Sequence, residues 1–227
     1  MKKIISILII LIVSFNIVSF ADDKIEEESS KEVKEVIQTT AEVSEKPSIN
    51  SRQAVVIDRN SKSILYGKNE NVKTKMASTT KIMTAMVVLQ NTNLENTVEV
   101  SKKAALTGGS RLGLKEGDKI TVRDLLYGLL LRSGNDAAVA LAEYVGGSIE
   151  GFAKLMNENT IGLGLKNTHF VTPHGLDQEE HYTTAYELAT IADYALKNKT
   201  FAQIVNTKNC TIHINNYAKN LNNTNEL

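Results

Sequence analysis

Apolar positions along the chain fall into blocks whose spacing separates strands from helices. Ala54-Val55-Val56-Ile57 is a continuous apolar run, and Asp58-Arg59-Asn60-Ser61 supplies turn chemistry before Ser63-Ile64-Leu65-Tyr66 returns. That pattern predicts a hairpin. Between residues 76 and 90, Ile82, Met83, Met86, Val87 and Leu89 recur at helical spacing, so a helix is expected there. Residues 108–117 are glycine-rich and read as a loop. Thr121 with Asp124 three residues on reads as a capping box opening the apolar run 125–131. Asn135 or Asp136 can cap an alanine-rich helix over 137–145, which Gly146-Gly147 would end. Residues 152–159 form another amphipathic stretch, and Thr184 with Glu187 opens a helix reaching about Leu196. No internal repeat is visible. Two early strands followed by a helical block predict an α+β fold, with its sheet unfinished by this pattern.

Ahead of these elements the pattern changes twice. Lys2 and Lys3 precede an apolar run over 4–13, and Ser19-Phe20-Ala21 offers small residues at the right places for cleavage. Residues 1–21 therefore read as a secretory signal peptide cut before Asp22. Residues 22–50 carry nine acids and four lysines with no sustained apolar stripe. Such a stretch cannot bury enough surface to offset its ordering entropy, and it is expected to be a disordered acidic spacer. Residues 51–227 then form the folded domain, which acts outside the cytoplasm.

Composition matters once this division is made. The 26 basic and 26 acidic residues of the whole chain cancel. Without the leader and spacer the remainder has 20 basic and 17 acidic residues, a slight basic excess. Neither figure gives the basic stripe of a nucleic-acid binder. A single cysteine, Cys210, excludes an internal disulfide framework and any multi-cysteine metal site. It reads as a small buried hydrophobe.

The chemistry begins at Ser78-Thr79-Thr80-Lys81. At the start of the 76–90 helix, Lys81 would lie one turn from Ser78 on the same face. A serine hydroxyl needs a base within hydrogen-bond reach, and a lysine serves if desolvation keeps it neutral. Alone the tetrad is ordinary, because serine caps helices and lysine covers their surfaces. Ser133-Gly134-Asn135 stands at the joint between two expected helices, where a side chain can project into a cleft. By itself it too is a natural turn.

Taken in order, these motifs resemble the low-molecular-mass serine D-alanyl-D-alanine carboxypeptidases, penicillin-binding proteins of peptidase family S11. The resemblance runs from about Gln53 onward. It covers Ala77-Ser-Thr-Thr-Lys-Ile-Met-Thr84, Leu131-Arg-Ser-Gly-Asn-Asp-Ala-Ala138, 168–176 with its Pro-His-Gly-Leu, and 181–188. It implies a β-lactamase/transpeptidase-like fold, an antiparallel sheet with a helical subdomain. It also implies that Ser78 is acylated by the D-Ala-D-Ala bond of peptidoglycan stem peptides, with Lys81 as general base. Ser133 would relay a proton to the leaving D-alanine, and Asn135 would position the substrate amide and Lys81. β-Lactams would acylate Ser78, and no cofactor, metal or nucleic acid is implied.

The family's third motif, Lys-Thr-Gly or Lys-Ser-Gly, has no counterpart after Asn135. In the family it follows a stretch resembling Asn222-Asn-Thr-Asn-Glu-Leu227. The resemblance therefore implies a C-terminally truncated chain, inactive and poorly folded as written, with an active full-length parent. Membrane association would come only through the missing C-terminal region. A coding sequence continuing to Lys-Thr-Gly after Leu227 would bear this reading out. A genuine stop would favour a non-catalytic wall-interaction module. His169, His174 and His181 with Asp177, Glu179 and Glu180 could be read as zinc ligands, but their spacing fits no HExxH helix. A β-lactamase would need a glutamate-activated water, and Glu179, Glu180 and Glu187 lack a Glu-x-x-x-Asn context.

Overall fold

The computed structural model describes residues 47–176 and 178–225. The expected leader, and nearly all of the spacer, lie outside the described residues. From Ser51 onward the chain forms one compact unit.

β1 (Ala54–Ile57) and β2 (Ile64–Lys68) pair antiparallel as a hairpin, with an irregularity between Val56 and Ile57. Asp58 closes the turn by accepting from the backbone N–H groups of Asn60 and Ser61. A second antiparallel sheet has the order β3-β4-β5-β6. Its strands are β3 (Thr97–Glu99), β4 (Lys119–Thr121), β5 (Asn209–Ile214) and β6 (Tyr217–Asn222). A single pairing, Ile120 with Ile214, joins β4 to β5, whereas β5 and β6 pair along their whole length. Sequence reading assigned none of these four strands. β3 and β4 have only three residues and β6 is polar and mostly exposed, so neither run length nor alternation marks those three. β5 (Asn-Cys-Thr-Ile-His-Ile), by contrast, does alternate and was overlooked.

The helices are α1 (Lys81–Asn91), α2 (Lys102–Leu106), α3 (Val122–Leu131), α4 (Asn135–Gly146), α5 (Ile149–Gly162), α6 (Ala185–Leu196) and α7 (Lys199–Val205). Their buried faces, with Met83, Leu125, Leu129, Leu141, Phe152 and Met156 essentially inaccessible, make one apolar core. α4 is buried along most of its length, and its run of alanines lets α1, α2, α3 and α5 pack against it. Gly147, with positive φ, ends α4 as expected.

The caps correct the sequence reading in an instructive way. Thr121 and Thr184 do accept from the N–H groups of Asp124 and Glu187. Neither acid returns the bond within its box. Asp124 accepts from the His213 N–H of β5, and Glu187 accepts from the N–H groups of Lys166 and Asn167 and the Thr168 hydroxyl. Tertiary donors outcompete the local ones. Likewise neither Asn135 nor Asp136 is the N-cap of α4; Gly134 is, without a side-chain bond.

Candidate active site

The expected 76–90 helix begins differently from a regular α-helix. Ala77 has φ of 46° and Ala77–Thr80 form a 3₁₀ turn, with α1 starting at Lys81. In a 3₁₀ turn residues three apart eclipse. Ser78 and Lys81 are thereby stacked, and Lys81 Nζ lies 3.0 Å from Ser78 Oγ.

The turn is held from outside by the 172–176 loop. Lys81 Nζ donates to the His174 carbonyl at 2.9 Å, and the Thr84 hydroxyl donates to the Pro173 carbonyl at 2.7 Å. Gly175 is the contact point, with φ of 81°, and a Cβ there would stand 1.8 Å from the Ala77 carbonyl oxygen. Only glycine allows this approach. His181 braces both sides. Its Nδ1 accepts from the Val171 N–H at 2.9 Å, so Nε2 carries the proton toward Thr80 Oγ1 at 2.8 Å.

Burial sets the electrostatics. Lys81 is 3% exposed. Desolvation penalises its charged form and lowers its pKa from 10.5 to about 8. His174 is lowered from 6.5 to about 4, first by burial and then by Lys81 and His181, so its ring is neutral at pH 7. Its Nδ1 accepts from the Leu176 N–H, which shapes the loop.

Ser133 reaches the same place from the opposite wall. An open cleft of about 350 Å³ is lined by Ser78, Lys81 and Ser133, with Ile82, Leu129 and Phe201 among its apolar walls. Ser133 has φ of 54°, in the left-handed region that non-glycine residues seldom adopt, and its buried Oγ has no hydrogen-bond partner. Asn135 does not line this cleft. Its Nδ2 donates to the Gly108 carbonyl at 2.8 Å, while its buried Oδ1 also lacks a partner.

Several contributors escaped the sequence reading. His174 acts through a backbone carbonyl, which no side-chain pattern reveals. Phe201 belongs to α7, an element not anticipated. His181 lay within a matched block, but nothing local indicated that it would meet Thr80.

Four of the residues read as possible zinc ligands or deacylating bases, His169, His174, His181 and Glu187, have other engagements. His169 Nδ1 meets the Glu180 carbonyl, and Glu187 is buried by its three donors. Among the described residues no three His, Cys, Asp or Glu side chains gather as a metal site; Asp177 lies outside them. Cys210 is half-buried in β5, and burial raises its thiol pKa.

A stacked serine and desolvated lysine at the head of a core helix, faced by a second serine across a cleft, define the penicillin-binding, transpeptidase-like class. Solved structures agree. The chain superposes on a D-alanyl-D-alanine carboxypeptidase from Mycobacterium tuberculosis with a TM-score of 0.77 at 33% identity, covering 82% of this chain and 71% of that one. It superposes on a mutant DD-transpeptidase from Streptomyces at 0.75 and 37% identity, covering 80% and 76%. A sequence profile of the peptidase S11 D-alanyl-D-alanine carboxypeptidases matches residues 39–227, and the chain belongs to that family. The D-alanyl-D-alanine carboxypeptidase DacF of Bacillus subtilis is 40% identical over 162 residues, 69% of this chain and 42% of its own length. The DacC enzyme of Escherichia coli is 42% identical over 158 residues, 65% of this chain and 40% of its own. The chain thus spans about two fifths of the length of these curated relatives.

Proposed function

We propose that the protein carrying these residues is a serine D-alanyl-D-alanine carboxypeptidase acting on peptidoglycan stem peptides outside the cytoplasm. The observation that carries the reading is the 3.0 Å approach of a buried, pKa-lowered Lys81 to Ser78. Neutral Lys81 takes the Ser78 hydroxyl proton as Oγ attacks the carbonyl carbon of the penultimate D-alanine. The C–N bond then breaks, and the proton passes from Lys81 through Ser133 to the departing amine. Water attacks the resulting ester, Lys81 accepts its proton, and Ser78 regains its hydrogen as the shortened peptide leaves. β-Lactams acylate the same oxygen.

The unpaired oxygens of Ser133 and Asn135 support the remaining roles. A buried polar atom without a partner is costly, and it is tolerable where a ligand completes its bonding. In this reading Asn135 Oδ1, outside the cleft lining of the free protein, accepts from a substrate amide. The family's carboxylate-binding third motif is not among residues 136–227.

The test is release of D-alanine from an acylated Lys-D-Ala-D-Ala tripeptide by that protein, with Ser78→Ala as control. Release that persists in Ser78→Ala, or benzylpenicillin turnover far faster than D-alanine release, would sink the reading. No helix among the described residues is long and apolar enough to cross a membrane.

A further inference from the structure

The carboxylate of Asp136 is fully buried, yet it touches no residue of the proposed reaction. Its Oδ1 accepts from the Leu112 N–H at 2.8 Å, and its Oδ2 from the N–H groups of Gly113 at 2.7 Å and Leu114 at 3.0 Å. Oδ1 also accepts from its own helix, at the Ala137 N–H, and the Arg111 guanidinium stands 3.9 Å away. Consecutive N–H groups of a bent backbone form an anion-binding concavity. Here the concavity is filled by the protein's own carboxylate, which ties the glycine-rich 108–114 segment to the first turn of α4.

That segment in turn holds Asn135. Ser110 accepts from the Asn135 N–H at 2.8 Å, and the Gly108 carbonyl from Asn135 Nδ2 at 2.8 Å. Gly109 is so close that a Cβ there would lie 2.6 Å from Asn135 Nδ2. From the other side, Lys219 of β6 donates to the Leu112 carbonyl. With Nδ2 committed to Gly108, the unpaired Oδ1 has its direction fixed.

We propose that Asp136 is a positioning residue, whose carboxylate clamps the 112–114 backbone so that the same segment fixes the orientation of the Asn135 amide. It acts through Asn135 and not on the substrate. The kinetic part of this inference rests on the function proposed above; the structural part does not.

The experiment compares wild type, Asp136→Asn, Arg111→Ala, Asn135→Ala, the Asn135→Ala/Asp136→Asn double variant, and Asp193→Asn as a destabilised control remote from the cleft. Misplacement of a substrate-orienting group by about 1 Å can cost about 10²-fold in rate, and a loss of that order in kcat/KM is expected for Asp136→Asn. Arg111→Ala, which loosens the clamp and also frees the Ala105 carbonyl that Arg111 bonds, is the fallback if Asp136→Asn fails to fold and should lose about threefold to tenfold by the same reasoning. Asp193→Asn should leave kcat/KM unchanged. In the Asn135→Ala background Asp136→Asn should cost nothing further, because residues acting through one another are non-additive. Multiplicative losses in the double variant, or equal losses in Asp136→Asn and Asp193→Asn, would overturn the proposal. A second readout needs no activity. Hydrogen exchange of the Asn135 side-chain amide, followed by NMR, should quicken in Asp136→Asn and Arg111→Ala but not in Asp193→Asn. Unchanged exchange overturns the clamp. If wild type releases no D-alanine, the functional reading fails while this exchange measurement still decides the role of Asp136.

Discussion

The two walls of the cleft are built on opposite plans. On the Ser78 side every working group is paired. Lys81 bonds Ser78 and the His174 carbonyl, Thr84 bonds Pro173, and His181 links Thr80 to Val171. On the other side Ser133 is held in a left-handed backbone with an unpartnered Oγ, and the nearby Asn135, outside the cleft lining, keeps an unpartnered Oδ1. In the proposed reaction the substrate supplies the bonds that the second side leaves open. A nucleophile and base must be preorganised before encounter, whereas groups that recognise the substrate gain by leaving their bonds open.

The contrast breaks most sharply at Lys81. Lys81→Arg keeps charge and much of the bulk but cannot surrender its proton. Acylation of the protein by fluorescent penicillin should fall about 10³-fold, within the range of general-base contributions. A variant within tenfold of wild type would mean that lysine supplies charge and not basicity.

The next largest effect is in pH. Burial lowers the Lys81 pKa only to about 8, so the proposed base is still mostly protonated below that pH. Acylation should therefore rise about tenfold per pH unit from 6 toward 8 and level off above. An inflection near the unperturbed 10.5 would show that Lys81 is more hydrated than its burial implies.

Ser133→Ala sharpens the comparison from the other wall. Acylation should drop about 10²-fold, the lower end of proton-transfer contributions. Thermal stability should hold or rise by up to about 1 kcal/mol, because an unpaired buried oxygen is removed. A clear loss of stability would mean that Ser133 is bonded in the free protein.

The smallest effect is expected at Thr84→Val, on the paired wall. It strands the Pro173 carbonyl and should cost about 1–2 kcal/mol in denaturant unfolding. Its acylation rate should fall less than that of Ser133→Ala. Thr84→Val thus lowers stability, whereas Ser133→Ala leaves it unchanged or raises it.

Much of this was legible in the chain before any fold was known. The β1–β2 hairpin, the helices that became α1 and α3–α6, and the end of α4 at Gly147 follow from periodicity, turn residues and caps, all local properties. So do Ser78, Lys81, Ser133 and Asn135 as candidates, since short motifs carry them. β3, β4 and β6 did not show, because three-residue strands and a polar edge strand exist only through their partners; the alternation of β5 was legible and overlooked. The reciprocal capping boxes failed for the same reason, as Asp124 and Glu187 found better donors far away in sequence.

The sequence by itself determined the family, the α+β class and the order of the reactive residues. Only the tertiary structure decided how they are arranged. It placed the His174 carbonyl on Lys81, let Gly175 touch the Ala77 carbonyl, and spent the Asp136 carboxylate on the backbone of residues 112–114. It also buried Lys81 deeply enough to weaken its hold on a proton. Spacing along a helix can bring two side chains within reach of each other. Desolvation and backbone contacts depend on what the rest of the chain packs around them, and that is a property of the whole fold.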